Sequence, residues 1–479
     1  MMKQYKNYIA GDWVPGSDYV PNVSPSDLDD VVGEFARGTE QDVVGATAAA
    51  REAYRSWREA TPQQRFDVLD TAGGQILARR VELARLLARE EGKPVGEAVS
   101  EVVRAGQIFK FFAGEAVRST GDVIASVRPN MTVEMTREPL GVVGLITPWN
   151  FPIAIPAWKI APALAFGNTV VIKPADLVPA CTWELVSILE QAGLPKGALN
   201  LVMGTGSVVG SALIQSPEVD AISFTGSVGV GRNIMVQCAQ THKRVQAEMG
   251  GKNPMVVLDD ADLDTAVSAC VNGAYFSTGQ RCTASSRLIV TEGIHDRFVA
   301  AVQERLGTLH VGHALDDDTI IGPVVDQRQL DQDLSYISIA AEEGGQVIGG
   351  EVVECRTNGF YLSPALVTGT TNDMRINREE VFGPVASVVQ VPNYDAALVA
   401  VNDTEFGLSA GICSTSLSRT SHFKRHARAG MVMVNAPTAG VDYHVAFGGT
   451  KGSSYGPREQ GSYARDFYTT VKTTYVNPG

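Results

Sequence analysis

The chain has 479 residues, of which 44% are apolar and 19% charged. That balance excludes a disordered polymer, and the length is enough for two or three separate cores. A formal net charge of -13 argues against general affinity for nucleic acid or an anionic membrane, and the six scattered cysteines (181, 238, 270, 282, 355, 413) form neither a CxxC pair nor a zinc spacing.

The first eight residues contain no apolar leader core, and no later stretch reaches membrane-spanning length, so a cytoplasmic protein is expected. Residues 8–35 are turn-rich, punctuated by Gly11, Pro15, Pro21 and Pro25. Helices are predicted over 40–58, 63–91 and about 97–117. The second opens on Thr61-Pro62-Gln63-Gln64, with Thr at the N-cap, Pro at the first helical position and Gln placed for a capping box. It closes at Gly92, suited to a left-handed cap. Residues 122–140 read as an extended excursion with no obvious partner.

From Gly141 to Met249, strands at 142–147, 169–173, 198–203, 220–224 and 243–248 alternate with helices such as 179–192. Such alternation predicts a parallel, doubly wound sheet, whose ligands bind beyond the carboxyl ends of its strands. Asn150, Lys173, Gly226 and Glu248 all fall at or just after such ends. A second alternating block runs to Asn435. Its strands are predicted at 255–258, 287–290, 385–391, 411–413 and 431–434, and its helices at 262–275, 295–308, 394–403 and 417–428.

Between a helix ending near Tyr275 and a strand starting near Arg287 lies the loop Gly279-Gln280-Arg281-Cys282-Thr283. A cysteine among polar neighbours can present its sulfur to a cleft, and the adjacent Arg281 is expected to favour the nucleophilic thiolate. Read alone, a single cysteine in a long chain is more often a small buried hydrophobe than a nucleophile. The helix opening at Gly226-Ser227-Val228-Gly229-Val230-Gly231 follows a strand, so its free N–H groups can meet a pyrophosphate, although it is not a G-x-G-x-x-G fingerprint.

Six stretches stand in order. They are Pro148-Trp149-Asn150-Phe151-Pro152, Lys173-Pro174-Ala175-Asp176, Phe224-Thr225-Gly226-Ser227 to Gly231, Glu248-Met249-Gly250-Gly251-Lys252, the Cys282 loop, and Glu380-Val381-Phe382-Gly383-Pro384. Together they resemble the NAD(P)-dependent aldehyde dehydrogenase superfamily over about residues 8–476. The resemblance implies an α/β fold of two doubly wound parallel-sheet domains with a small β oligomerisation arm. The dinucleotide-binding domain is then 1–121 with 141–250, the catalytic domain 251–455, and the arm 122–140 with 456–479. It also implies a homodimer or homotetramer.

By the same resemblance, Cys282 attacks an aldehyde to form a thiohemiacetal, which is oxidised by NAD or NADP to a thioester. Asn150 and the Cys282 backbone N–H hold the oxyanion, and Glu248 activates the water that releases the acid. Glu248 favours hydrolysis over transfer to coenzyme A. The cofactor is expected against Ile146, Thr147, Pro148 and Trp149, against Lys173, Ala175 and Asp176, and against Phe224, Thr225, Gly226, Ser227 and Gly231. Met249, Gly250, Glu380 and Phe382 complete that surface. Asp176 is one methylene shorter than the usual glutamate, so it disfavours a 2′-phosphate while leaving NADP open. Without the resemblance, Lys173 and Glu248 are strand-end charges, Asn150 a turn residue, Glu380 a surface acid and Phe382 a core aromatic.

The late segment 434–461 resembles that of bacterial α-ketoglutarate semialdehyde (2,5-dioxopentanoate) dehydrogenases, which makes that aldehyde the expected small-molecule substrate. Phe112, Trp158 and Phe447 are expected to line an aromatic tunnel, and Phe151 to border the substrate. Arg281, Thr283, Asn435 or His444 are candidates to meet a distal carboxylate. Trp158 stands where succinate-semialdehyde enzymes of the family often carry arginine. A broad-range aliphatic or aromatic aldehyde dehydrogenase, a succinate semialdehyde dehydrogenase, a thiol esterase and a non-catalytic binding protein are the alternatives. No motif calls for a metal.

Overall fold

A computed structural model describes residues 3–479. Two sheets organise it. The first has eight strands in the order Ser454–Tyr455, Arg244–Glu248, Ala221–Thr225, Val142–Ile146, Thr169–Lys173, Leu199–Leu201, Asn7–Ile9 and Asp12–Val14. The five central strands are parallel, while Ser454–Tyr455 and the two N-terminal strands add antiparallel edges. The chain builds outward from Val142–Ile146 on one side, then returns to its other side with Ala221–Thr225. The crevice beyond the ends of these two strands is therefore the topological switch point, where doubly wound sheets bind ligands. Both strands are fully buried, as sheet strands covered on two faces must be.

The second sheet has seven strands, ordered Gln346–Gly349, Ala365–Thr370, Val385–Val391, Arg287–Thr291, Pro254–Val257, Ser409–Cys413 and Met431–Val434. All pairings are parallel except the Gln346–Gly349 edge. The strands Gln346–Gly349 and Ala365–Thr370 and the helix Gln327–Glu342 are absent from the sequence reading. Glycines on the left-handed side of φ, at 344, 349, 350 and 369, break the pattern there into pieces too short to read.

A third, three-stranded sheet pairs Thr469–Val476 with Thr132–Pro139, and Thr132–Pro139 with Asp122–Ala125. The excursion at 122–140 thus has its own hairpin, completed by the C-terminal strand. The single helix expected over 63–91 is two helices, Pro62–Ala78 and Arg80–Glu91. Arg79 leaves helical geometry (φ -93°, ψ 13°), and its guanidinium is tied to Glu82 and Glu184. The capping box of Thr61 and Gln64 forms, and Gly92 closes the second helix at φ 93°. Among the described residues, no helix is long and apolar enough to cross a membrane.

Candidate active site

Cys282 sits on a loop held under backbone strain. Ser277 and Thr278 take left-handed φ values of 52° and 55°, unusual for residues with a Cβ. Their side chains hold them there: Ser277 Oγ donates to Glu97 Oε2 at 2.6 Å, and Thr278 Oγ1 donates to the Gly322 carbonyl at 3.1 Å. Gly279 follows at φ 67°, where a Cβ would stand 2.0 Å from the Gly383 carbonyl oxygen. Only glycine lets the loop pass that close. The next residue, Gln280, accepts the Val325 N–H with its Oε1.

The loop delivers Cys282, half-buried, to the lining of a cavity of about 370 Å³. Its carbonyl is fixed by Asn253 Nδ2 at 2.8 Å. Asn150 approaches from the end of the first sheet. Its buried Nδ2 donates to the Gln280 carbonyl at 2.9 Å, and its own carbonyl accepts from Lys93 Nζ at 2.8 Å. One amide hydrogen is thereby used to aim the other.

Glu248 ends the strand Arg244–Glu248 in a buried position. Ser454 Oγ donates to its Oε2 at 2.5 Å, while Oε1 has no partner. Burial raises its pKa well above the ordinary carboxylate value, and the nearby Glu459 adds to the rise. The Ser454 hydrogen bond, Lys159 and Arg458 pull the other way. Glu459 is itself fixed, ion-paired with Lys159 and accepting from Trp158 Nε1 at 2.7 Å. The site therefore contains a buried carboxyl kept basic by its surroundings, as a general base requires.

The expected help from Arg281 does not materialise. Its guanidinium turns away to Glu97 (3.1 Å) and the Asn272 carbonyl. The Cys282 thiol is instead pushed up to about 12, first by burial and then by Glu380 and Glu248. With this geometry the sulfur is a protonated thiol at neutral pH, and a base must take its proton.

The cofactor candidates gather at the switch point of the first sheet. Thr147 follows the strand Val142–Ile146 and Thr225 ends the strand Ala221–Thr225, and both hydroxyls are buried without a partner. Ser227 precedes the helix Val228–Gln240 and makes no side-chain cap, so the first N–H groups stay free for an anion. Gly231 packs so tightly that a Cβ would lie 2.5 Å from Met249 Sδ, and one on Gly226 would meet the Phe224 ring at 2.6 Å. A Cβ on Gly250 would strike Glu380 Oε2 at 2.2 Å. Glu380 Oε1 accepts the Gly251 N–H at 2.8 Å, and burial raises this carboxyl to about 7. Phe382, at φ 70°, meets Trp149 edge-on at 5.4 Å. Lys173 is buried with its pKa lowered by burial, an effect Asp176 opposes. The uncapped helix, orphaned hydroxyls and glycine-lined backbone together fit a dinucleotide.

The cavity wall takes Phe151, Trp158, Arg281, Thr283 and Phe447 as expected. Phe112 is not on it: the side chain is fully buried in the core, edge-on to Phe111 and Phe166. Helix periodicity at that position meant packing. Asn435 is not on the wall either, and its side chain is spent on both backbone groups of Ser414. His444 lies outside the lining and packs on Tyr443. Unforeseen are Lys93 and the residues Glu97, Ser100, Glu101 and Arg104 of the helix Val95–Val117. Their spacing of three and four residues, polar on an otherwise apolar helix face, was the available signal.

The sequence pattern of the aldehyde dehydrogenase family matches residues 13–474. The chain is 44% identical to the alpha-ketoglutaric semialdehyde dehydrogenase of Bacillus subtilis (strain 168), covering 99% of this chain and 98% of that protein. It is 42% identical to the alpha-ketoglutarate semialdehyde dehydrogenase of Haloferax volcanii, with 98% of each covered. It superposes on a betaine aldehyde dehydrogenase from Staphylococcus aureus in complex with NAD+ with a TM-score of 0.96 at 33% identity, covering 98% of this chain and 94% of that one. A nucleophile candidate that feels the charge of a buried base, beside a dinucleotide crevice, has full-length likeness behind it, and the chain is an NAD(P)-dependent enzyme of the aldehyde dehydrogenase family.

Proposed function

We propose that the enzyme oxidises α-ketoglutarate semialdehyde (2,5-dioxopentanoate) to 2-oxoglutarate. The observation that carries this reading is the 44% identity over the whole chain to the Bacillus subtilis enzyme of that name.

Cys282 Sγ is the nucleophile, carrying the substrate as a thiohemiacetal before oxidation and as a thioester after it. Asn150 Nδ2 and the Cys282 N–H stabilise the oxyanion; losing one such donor typically costs about a hundredfold to a thousandfold in turnover. Glu248 serves as base, for the thiol proton and then for the hydrolytic water. NAD(P)+, when bound, supplies the two-electron oxidant. Ser227 and the following N–H groups would hold its phosphates, Lys173 and Asp176 its adenosine ribose, and Glu380 and Phe382 its nicotinamide end. The cofactor-binding part comprises 1–121 and 141–250, and the catalytic part 251–455 less its last two residues, since Ser454–Tyr455 crosses over to edge the first sheet.

The hairpin Asp122–Ala125 with Thr132–Pro139, and Thr469–Val476 beside it, form an arm for a homodimer or homotetramer. Val123 and Val127 stand exposed at 77% and 102%, which favours a second copy covering them. A monomeric mass by light scattering would sink that assignment.

The test is reduced-cofactor formation from 2,5-dioxopentanoate, succinate semialdehyde and simple aldehydes, with Cys282→Ala as control. Fastest turnover of the dioxo acid, lost in the variant, is expected. Turnover confined to simple aldehydes would refute the substrate.

A further inference from the structure

Five charged side chains border the cavity in front of Cys282: Lys93, Glu97, Glu101, Arg104 and Arg281. Four cancel in pairs. Lys93 Nζ bonds Glu101 Oε2 at 2.6 Å, and Arg281 bonds Glu97 Oε1 at 3.1 Å. Arg104 is left over. Among the described residues its guanidinium forms no ion pair and one hydrogen bond, to Gln460 Oε1 at 2.9 Å. The acids that act on it from further off are Glu101, already committed to Lys93, and Asp442.

Arg104 Nε is buried without a partner, and so is Nε2 of the Gln460 that holds it. The guanidinium lies 5.6 Å from the Trp158 ring centre. Burial draws its pKa down to about 10, so it is still a cation at neutral pH. A buried cation with unmade hydrogen bonds is costly, and such groups call for an explanation. An anionic ligand in the cavity would supply one. The planar fork of arginine fits a carboxylate with two parallel bonds.

We propose that Arg104, steadied by Gln460, anchors the terminal carboxylate of an ω-oxo acid whose aldehyde carbon lies at Cys282 Sγ. The proposal deepens the substrate reading above and rests on it. Arg281, nearer in sequence, is excluded from the task by its bond to Glu97.

The test compares kcat/KM for 2,5-dioxopentanoate with that for pentanal, in the wild type and in Arg104→Met and Arg104→Lys, with cofactor saturating. The acid-to-neutral ratio is expected to fall about tenfold to a hundredfold in Arg104→Met, carried by KM, the range for a hydrogen bond to a charged group. Arg104→Lys should fall between, keeping charge without the fork. An equal loss on both substrates would overturn the proposal, since that is what a structural role predicts. If Arg104→Met does not fold, Arg104→Gln and Gln460→Ala carry the same comparison. If the wild type does not favour dioxopentanoate over pentanal, the substrate reading fails, and succinate semialdehyde against butanal puts the question to Arg104 alone. An acid preference there that Arg104→Met removes supports the anchor; no acid preference on either pair overturns it.

Discussion

Ser454 and Glu248 face each other across an antiparallel pairing at the edge of the first sheet, and the serine hydroxyl donates to Glu248 Oε2 at 2.5 Å. The bond fixes one carboxyl oxygen and leaves Oε1 free in a buried site. A base with a raised pKa is active in its deprotonated form, so turnover should climb with pH as Glu248 loses its proton, above the ordinary carboxylate range. Ser454 lowers the Glu248 pKa, so Ser454→Ala should move that climb to higher pH. Glu248→Gln should cut steady turnover by about a hundredfold to ten-thousandfold, the range for a lost general base. Stopped-flow traces of Glu248→Gln with fast alkylation quench are the check. Undiminished steady turnover would remove Glu248 from the mechanism.

Glu380 touches both the cofactor reading and the thiol. Its carboxyl, raised to about 7, is the strongest of the charges holding the Cys282 thiol up, second only to burial. Glu380→Gln removes that charge above pH 7. Iodoacetamide alkylation of Cys282 at pH 8 should therefore speed up, while the KM for NAD(P)+ rises. In the wild type, cofactor KM should rise as pH falls below about 7 and Glu380 takes a proton. Slower alkylation in the variant would contradict the charge argument.

The catalytic candidates were legible because each lies in a short contiguous motif at a strand end or tight loop, where chemistry and backbone demands coincide. Gly279 illustrates this: the residue type, the positive φ and the approach to Gly383 are one constraint. Arg104 was not legible in that way. It lies on a long helix whose apolar period announces packing, 178 positions before Cys282 (282 less 104), and only folding brings the two to one cavity. Phe112, on the same helix, shows the converse error, since its aromatic ring proved to be core. Arg281 was misread because adjacency in sequence says nothing about where a long side chain finds its carboxylate.

Asp176 is exposed three positions after Lys173, at the rim of the first sheet. A carboxylate there repels a 2′-phosphate. Asp176→Ser should raise the preference for NADP over NAD by about tenfold, equivalent to ~1.4 kcal/mol. Ratios of kcat/KM for the two cofactors measure it, and an unchanged ratio would move the selector elsewhere.

Glu90 is a buried carboxylate that closes the start of the helix Ala180–Gln191, accepting the N–H groups of Ala180 (2.8 Å) and Cys181 (2.7 Å) and Nδ2 of Asn22 (3.2 Å). Burial raises it from 4.5 to about 7 despite those bonds. The folded state therefore binds an extra proton between pH 4.5 and about 7. Stability from this group is complete below that window and is lost as pH rises through it, by roughly 3 kcal/mol on the linkage relation. Glu91, raised to about 8, acts in the same direction, so the comparison must be with Glu90→Gln. That variant should show a flatter dependence of Tm on pH between 5 and 7 than the wild type, to about the extent just given. Glu90→Ala should lose about 1–3 kcal/mol at low pH, because two helix N–H groups are left buried and unpaired, and that deficit should shrink as pH rises and the wild type loses its own contribution. Equal slopes in wild type and Glu90→Gln would show that Glu90 keeps its charge in the folded protein, with the three hydrogen bonds outweighing its burial.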